Sequence, residues 1–365
     1  MRLDELDYSL PREQIAQHPL ARREASRLLC LDRSSGVFED RFFLDFPNLL
    51  RGDELLVFNN ARVIPARLFG RRAGVHSQPP SRATRSEHLT GRVEIFLTRE
   101  LDTDTWEALV RPGRKMHLGE RVFFGGGELE AEVLARGQFG LRTLRFISHD
   151  QRSISQHFER LGHVPLPPYI ERADETSDRE RYQTVFAKRP GAIAAPTAGL
   201  HFTTGILEKI RERGVETCEL TLNVGLGTFQ PIHGETLEGH VMHAESYEIP
   251  KETADRIQAT RDAGRPILAI GTTVVRALEN AALRAAESGS SNLVLAGKAQ
   301  AQLFIVPGFR FRVVEGLLTN FHLPRSTLLA LVCAFAGRRQ ILTAYEHAAN
   351  TRYRFYSYGD CMWIR

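Results

Sequence analysis

The sequence predicts a protein of the mixed α/β class, in which a larger, barrel-like α/β domain is built from both chain ends and a smaller all-β barrel domain is inserted. The chain has 365 residues, and roughly 100–200 residues per domain suggests two domains. Short apolar runs alternate with turn residues from about 62 to 147, whereas strand and helix signals alternate after 150. We therefore assign 1–62 and 151–365 to the larger domain and 63–150 to the insertion.

The first 62 residues combine short helical and strand signals. Pro11 is placed to open a short helix, and 54–58 is typical of a buried strand that ends at Asn59-Asn60.

The insertion contains several short runs with strand character at close spacing, which is typical of a small barrel or sandwich. The runs are 93–97, 106–110, 121–124, 129–134 and 141–146, and they are separated by Pro112-Gly113, 125–127, Gly137 and Gly140. The polar segment 72–90, rich in Ser and Arg, can bury little apolar surface, so we expect a mobile loop there.

The rest of the chain follows the strand–helix rhythm of a domain with parallel pairing. The predicted strands are 215–224, 266–270 and 313–321. The predicted helices follow Thr203-Thr204, Pro250, Gly271-Thr272-Thr273 and Ser326-Thr327, and the first two stop near Gly214 and Gly264.

Composition narrows the class of protein. The net charge is only +4, but 43 of the 48 basic residues are Arg, whose planar fork suits phosphate; Arg-rich codon usage explains the same bias. The four cysteines form no close pair, which argues against a disulfide framework and a thiolate zinc site. The first residues are too polar for a signal peptide, and the longest apolar run, 328–336, is shorter than a membrane span of roughly 20 residues. We expect a cytoplasmic monomer.

Two glycine-containing turns are candidate ligand-binding segments. In 191–202, small residues and a rigid proline allow close backbone approach to a flat ligand, but a packed corner with a core histidine fits equally well. In 223–229, Gly225 and Gly227 form a short G-x-G that plain turn chemistry also explains. The full G-x-G-x-x-G fingerprint is absent, which counts against a Rossmann methyltransferase or dehydrogenase.

Three further segments carry side chains capable of chemistry. His240, His243 and Glu245 suit acid–base work, or a hydrated loop, and their spacing matches no standard zinc pattern. The hydroxyls of Thr272 and Thr273 begin a helix in which Arg276 and Glu279 share one face, so the segment either binds an anion or is a cap with an ion pair. The turn 319–327, with His322, follows a strand, where ligand crevices form in α/β folds.

Together and in this order, these segments resemble the S-adenosylmethionine:tRNA ribosyltransferase-isomerase family of the queuosine pathway. The similarity runs from Ser26-Arg27-Leu28-Leu29 almost to the C-terminus. It includes 57–67, 162–170, 179–185 with Tyr182-Gln183-Thr184, and the tail 353–360, whose interleaved aromatic and Arg residues suit either base stacking or packing on the core. Two features depart from the family pattern: Asn223 stands where His is usual, and 72–90 is longer than usual.

The resemblance implies a reaction without metal or redox cofactor. S-adenosylmethionine is consumed as a ribosyl donor, and the acceptor is 7-aminomethyl-7-deazaguanine at the wobble position of tRNA. The products are epoxyqueuosine, adenine and methionine. The alternatives are a tRNA-binding homologue with impaired catalysis, for which Asn223 is the only support, and another S-adenosylmethionine-dependent RNA transferase.

We assign candidate roles to the matching positions. The pair His243 and Glu245 is expected to transfer protons, with His201 and His322 as further candidates. Arg276 is expected to bind the methionine carboxylate. The nucleoside-binding set is Ala195, Pro196, Thr197, Gly199, Gly225, Gly227, Thr272 and Thr273, and the RNA-binding set is Arg62, Arg67, Arg179 and Tyr182.

Overall fold

The computed structural model describes residues 1–75, 89–225, 236–237, 239–240 and 242–365. The described chain divides into two compact units. The larger unit comprises Met1–Arg62, Pro167–Ala173 and Glu180–Arg365, and the smaller unit comprises Val63–Leu166 and Asp174–Arg179. Most of the predicted 72–90 loop, and Gly227, lie outside the described residues.

The strands of the described residues, in chain order, are β1 (Arg27–Leu31), β2 (Phe38–Phe42), β3 (Leu55–Asn59), β4 (Ala61–Val63), β5 (Arg67–Arg72), β6 (Arg92–Glu100), β7 (Thr105–Arg111), β8 (Arg121–Phe124), β9 (Leu129–Arg136), β10 (Leu141–Ser148), β11 (Arg189–Ala192), β12 (Glu216–Leu222), β13 (Glu245–Ile249), β14 (Ile267–Ile270), β15 (Gly297–Ala301), β16 (Gly316–Asn320) and β17 (Cys361–Ile364). The α-helices are α1 (Phe46–Leu49), α2 (Ile154–Leu161), α3 (Asp178–Arg181), α4 (Thr204–Glu212), α5 (Lys251–Asp262), α6 (Thr272–Glu287), α7 (Thr327–Ala336) and α8 (Arg338–Asn350).

The larger unit is organised by a nine-stranded mixed sheet in the order β15-β13-β12-β3-β14-β16-β17-β1-β2. At its centre, β12, β3, β14 and β16 are parallel, with Leu55 of β3 in register with Glu216 of β12 and Ile267 of β14. The carboxyl ends of these four strands therefore meet at one edge of the sheet.

The central strands of the sheet are buried on both faces. Successive side chains of a strand point to opposite faces, and accordingly Leu55 and Val57 of β3 belong to one apolar cluster whereas Leu56 and Phe58 belong to the other. The continuous apolar sequence of β3 and β14 is what a central parallel strand requires.

The mixed α/β class and the inserted barrel are confirmed, but the larger sheet is an open sheet and not a closed ring. Its end strands are polar: β2 has the sequence FEDRF, and four of its five residues are exposed. β15 has the sequence GKAQA, with three exposed residues. Charged and polar side chains at both ends disfavour further strand pairing, which keeps the sheet open.

The smaller unit contains a closed antiparallel barrel of six strands in the order β10-β7-β6-β5-β8-β9. Alternate residues point inward: Val93, Ile95 and Leu97 of β6 are buried, as the alternating sequence requires. The predicted strand runs of this region lie within β6 to β10. α2 begins with a capping box, in which the Ser153 hydroxyl accepts from the Gln156 backbone N–H.

Among the described residues, no single helix has the length and apolar character needed to cross a membrane. α7 and α8 meet that criterion only together, as a pair bent by 117°.

Candidate active site

A cavity lies at the carboxyl edge of the parallel strands of the larger unit. It contains about 1120 Å³ of free space, including its open mouth. Val224 follows β12, 271–273 follow β14, and 319–326 end and follow β16, so the strand order itself brings these segments together. The described residues that line the cavity are Tyr169, 194–198, Val224, 271–273, 319–326, Leu328, Tyr356 and Ser357.

Two tyrosines form an aromatic part of the cavity wall. The rings of Tyr169 and Tyr356 lie 4.0 Å apart between centroids, and the Tyr169 hydroxyl is 2.6 Å from the Ser357 hydroxyl. Tyr356 has a φ of +74°, a conformation that is costly for a bulky residue and that clusters at functional sites. Burial raises the pKa of Tyr169, so its hydroxyl stays protonated.

The buried polar atoms on the cavity wall that lack hydrogen-bond partners among the described residues include Thr273 Oγ1 and Asn320 Oδ1. The orientation of the Asn320 amide is set by its nitrogen, which lies 3.1 Å from His201 Nε2 and donates to the Tyr356 carbonyl at 3.1 Å. Its oxygen is then left as an acceptor. Because a buried polar group without a partner costs about 1–3 kcal/mol, both atoms are suited to bind a polar ligand.

His201 lies behind the wall and not on it. Its Nδ1 is 2.7 Å from the Ser26 hydroxyl, and its Nε2 accepts from Asn320, which places the proton on Nδ1. Burial, followed by the positive charges of Arg23 and Arg354, lowers the pKa of His201 to about 3. The ring is therefore neutral at physiological pH and positions Asn320.

His322 lines the cavity and is also neutral. Its Nε2 is 2.8 Å from the Thr319 hydroxyl, and burial lowers its pKa to about 3. A neutral imidazole can exchange hydrogen bonds with a ligand without repelling a cation.

Glu245 and Arg276 form a buried ion pair away from the cavity wall. The Arg276 guanidinium donates to Glu245 Oε2 and to the Ala301 carbonyl, the latter at 3.3 Å, while the Gly225 backbone N–H donates to Glu245 Oε1 at 3.2 Å. The side chains of Arg276 and Glu245 are 4% and 3% exposed, respectively. The pair joins β13, α6, β15 and the turn after β12. The Arg276 guanidinium, which we expected to bind the carboxylate of a ligand, is therefore already paired with Glu245.

The nucleoside-binding set is divided by the structure. Ala195, Pro196, Thr197, Thr272 and Thr273 line the cavity, whereas Gly199 and Gly225 do not. A Cβ at position 199 would lie 2.6 Å from the ring of Phe186, so close packing explains that glycine. His243 is exposed, and no described residue of 240–245 lines the cavity.

The predicted RNA-binding residues differ in their exposure and in their local partners. Arg62 is exposed. Arg67 pairs with Glu94 at 3.2 Å, and Arg179 donates to the carbonyls of Glu159 and Gly162. Tyr182 is fully buried, which argues against a direct contact between its ring and RNA.

Sequence reasoning assigned no role to several cavity residues, although most lie in segments that it had singled out. Tyr169 lies near the end of the 162–170 block, Asn320 is the last residue of β16, and Tyr356 and Ser357 lie in the aromatic tail. The available signal was position after a strand, which identified the turn but not the side chain. Within the described part of the chain, no group of three or more His, Cys, Asp or Glu residues is arranged to hold a metal ion.

Comparison with known proteins finds similarity over the whole chain. Residues 3–364 match the family model described as queuosine biosynthesis protein. S-adenosylmethionine:tRNA ribosyltransferase-isomerases from Solibacter usitatus and Moorella thermoacetica are 51% and 46% identical, and in each comparison all of both chains is covered. A crystal structure of S-adenosylmethionine tRNA ribosyltransferase from Thermotoga maritima is 35% identical, with a TM-score of 0.52, and the match covers 99% of this chain and 100% of that one. The chain therefore belongs to the queuosine biosynthesis protein family.

Proposed function

We propose that this protein transfers and isomerises the ribosyl group of S-adenosylmethionine onto 7-aminomethyl-7-deazaguanine at the wobble position of tRNA, with release of adenine and methionine. The observation that carries this function is the full-length similarity to ribosyltransferase-isomerases that share about half of their residues with this chain. The cavity supports it independently, because it is lined by residues from four of the five candidate segments, 191–202, 223–229, 272–279 and 319–327.

S-adenosylmethionine is proposed to bind in the cavity at the carboxyl edge of the sheet. The cavity holds about 1120 Å³ of free space including its open mouth. Small-molecule sites usually measure roughly 300–1,000 Å³, so the cavity is large enough for such a ligand. Small residues at 194–198 let the backbone approach a flat base, and Thr273 and Asn320 offer an unpartnered hydroxyl and amide oxygen. A neutral His322 avoids repulsion of the sulfonium, and the nearby Arg325 guanidinium is paired with Asp7.

The reaction requires proton movement at three places. The sulfonium acidifies its 5′ carbon, the aminomethyl group must lose a proton to become nucleophilic, and departing adenine is helped by an acid. Of the four candidate residues, His322 lines the cavity, so we propose that it contacts the reacting nucleoside. His201 is proposed to act through Asn320. The proton-transfer role of His243 and Glu245 stays a prediction.

The decisive experiment is incubation of the protein with S-adenosylmethionine and an anticodon stem-loop that carries 7-aminomethyl-7-deazaguanine. We expect free adenine and methionine, and the same yield with EDTA present, since we propose metal-independent chemistry. Formation of S-adenosylhomocysteine would indicate a methyltransferase, and RNA binding without adenine release would indicate a binding protein that has lost catalysis.

The cavity assignment is tested by Thr273→Val, which removes the unpartnered hydroxyl at nearly constant volume. Loss of one hydrogen bond to the ligand should weaken S-adenosylmethionine binding about 2- to 12-fold. Thr184→Val is the matched control, because the Thr184 hydroxyl is also buried and unpartnered but does not line the cavity. Equal affinities of the two variants for S-adenosylmethionine, measured by calorimetry, would show that the ligand binds elsewhere.

We also propose that the protein acts as a cytoplasmic monomer. Cys30, Cys218, Cys333 and Cys361 are buried free thiols, as a reducing compartment favours.

A further inference from the structure

The smaller unit presents an aromatic side chain at a barrel tip. Phe139 lies in the turn between β9 and β10, and 96% of its surface is exposed. Its φ is +52°, a conformation that bulky residues rarely adopt. An apolar ring held outward in a costly conformation indicates a contact surface and not a packing residue.

The turn that carries Phe139 is fixed from below. Arg142 is only 3% exposed and donates to three carbonyls: Met116 at 2.9 Å, Leu141 at 2.6 Å and Gly113 at 2.5 Å. These bonds tie the Phe139 turn to the loop that follows β7. The buried Arg142 side chain therefore connects the two loops, and this connection keeps the turn that exposes the Phe139 ring in place.

Unpaired cations lie near the ring. Arg114 and Arg136 line the surface depression that contains Phe139, and Lys115 follows Arg114 in the chain. All three are exposed, and none forms an ion pair within the described part of the chain. The acidic residues of the neighbouring strands are already neutralised, with Glu107 paired to Arg99 and Glu132 to Arg145. The tip is therefore a positive patch with an aromatic centre.

We propose that this tip, defined as Phe139, Arg114, Lys115 and Arg136, binds the tRNA substrate. Phe139 stacks on an unpaired base, and the cations contact the flanking phosphates. The inference rests on the proposed function and adds the surface by which RNA is held. A lipid surface is less suitable, because the neighbours of Phe139 in the turn, Gln138 and Gly140, give no wider apolar face.

The test uses the full chain and measures its affinity for the anticodon stem-loop. Phe139→Asn removes the ring while keeping a residue that tolerates positive φ, and loss of one stacked base should weaken binding about 5- to 150-fold. Phe42→Asn is the matched control, since Phe42 is also exposed (57%) but lies on an edge strand of the larger unit. Arg114→Gln and Arg136→Gln should each reduce the slope of log affinity against log salt by about 0.7–0.9.

Phe139→Trp supplies a second readout. We expect this variant to retain its affinity for RNA and its tryptophan emission to be quenched when RNA binds. The two natural tryptophans, Trp106 and Trp363, are buried, so the change in emission reports on position 139. The inference would be overturned by unchanged RNA affinity in Phe139→Asn or by equal weakening in Phe42→Asn. It would also be overturned if Phe139→Asn lost binding to phosphatidylserine vesicles without losing RNA binding. Failure of the proposed function is distinguishable, because the unaltered protein would then release no adenine.

Discussion

The buried ion pair between Glu245 and Arg276 is predicted to stabilise the larger unit more than it shapes the ligand site. The perturbation is a double-mutant cycle of Glu245→Leu, Arg276→Met and both together. Each single change leaves one charge almost without access to water, since the partner side chains are 3% and 4% exposed. The stranded groups keep other contacts, among them the Gly225 N–H on Glu245 and the carbonyls of Ala301 and Leu303 on Arg276.

The expected magnitude follows from that burial. Removing one partner of a buried pair costs about 3–5 kcal/mol, because the other charge is left uncompensated, whereas replacing both with apolar residues of similar volume is often nearly neutral. We therefore expect each single variant to lose about 3–5 kcal/mol and the double variant to lose less than either.

Urea unfolding of the four proteins measures these differences. A double variant that loses the sum of the two single effects would refute the coupling, as would single losses below about 1 kcal/mol. The S-adenosylmethionine affinity of the double variant separates structure from ligand binding: we expect it to be unchanged, and a large loss would support the carboxylate-binding role first expected of Arg276.

Two further predictions concern the histidines and glycines around the cavity. His201 and His322 have pKa values of about 3 in the folded protein, below an ordinary value of about 6.5, so the unfolded chain binds more protons at acidic pH. Their contribution to stability is complete above pH 6.5 and is lost as pH falls towards 3, at about 2 kcal/mol each by pH 5. Urea unfolding at pH 7 and pH 5 should show a smaller loss of stability in His322→Gln than in the unaltered protein. An equal loss of stability in the two proteins would contradict the assignment. Gly199→Ala should lower the melting temperature because its Cβ would lie 2.6 Å from Phe186 and 2.8 Å from Thr184. Gly225→Ala should not, because no atom of the described residues lies within 4 Å of its Cβ, and equal melting temperatures would show that position 199 can relax.

Much of the fold could be predicted because local sequence carries it. The apolar runs of β3 and β14 require burial on both faces, and the cap at Thr203 and the stop at Gly214 mark α4 with local chemistry. β13 and β15 were not predicted. Both contain polar residues and lie at the antiparallel end of the sheet, where β13 pairs with β12 and β15, so pairing with neighbouring strands and not composition makes them strands.

The site could be predicted in part for the same reason. Position after a parallel strand identified the segments 271–273 and 319–327, and residues 271–273 and 319–326 line the cavity. The relation between Glu245 and Arg276 could not be derived, because it depends on β13 returning antiparallel beside β12 and on the packing of α6. Sequence spacing gave Arg276 a partner at Glu279, but Glu279 instead accepts from the backbone N–H groups of 312–314.

The cavity's polarity is set by a residue that does not touch its interior. His201 accepts from the Asn320 nitrogen only while its Nε2 lacks a proton, and this acceptance keeps the Asn320 oxygen available on the cavity wall. If His201 were protonated, two donors would face each other, and the amide would have to rotate and withdraw its oxygen. The burial that lowers the pKa of His201 thus fixes a hydrogen-bond acceptor in front of it, which explains why a histidine 119 residues away in the chain belongs to the site without lining it.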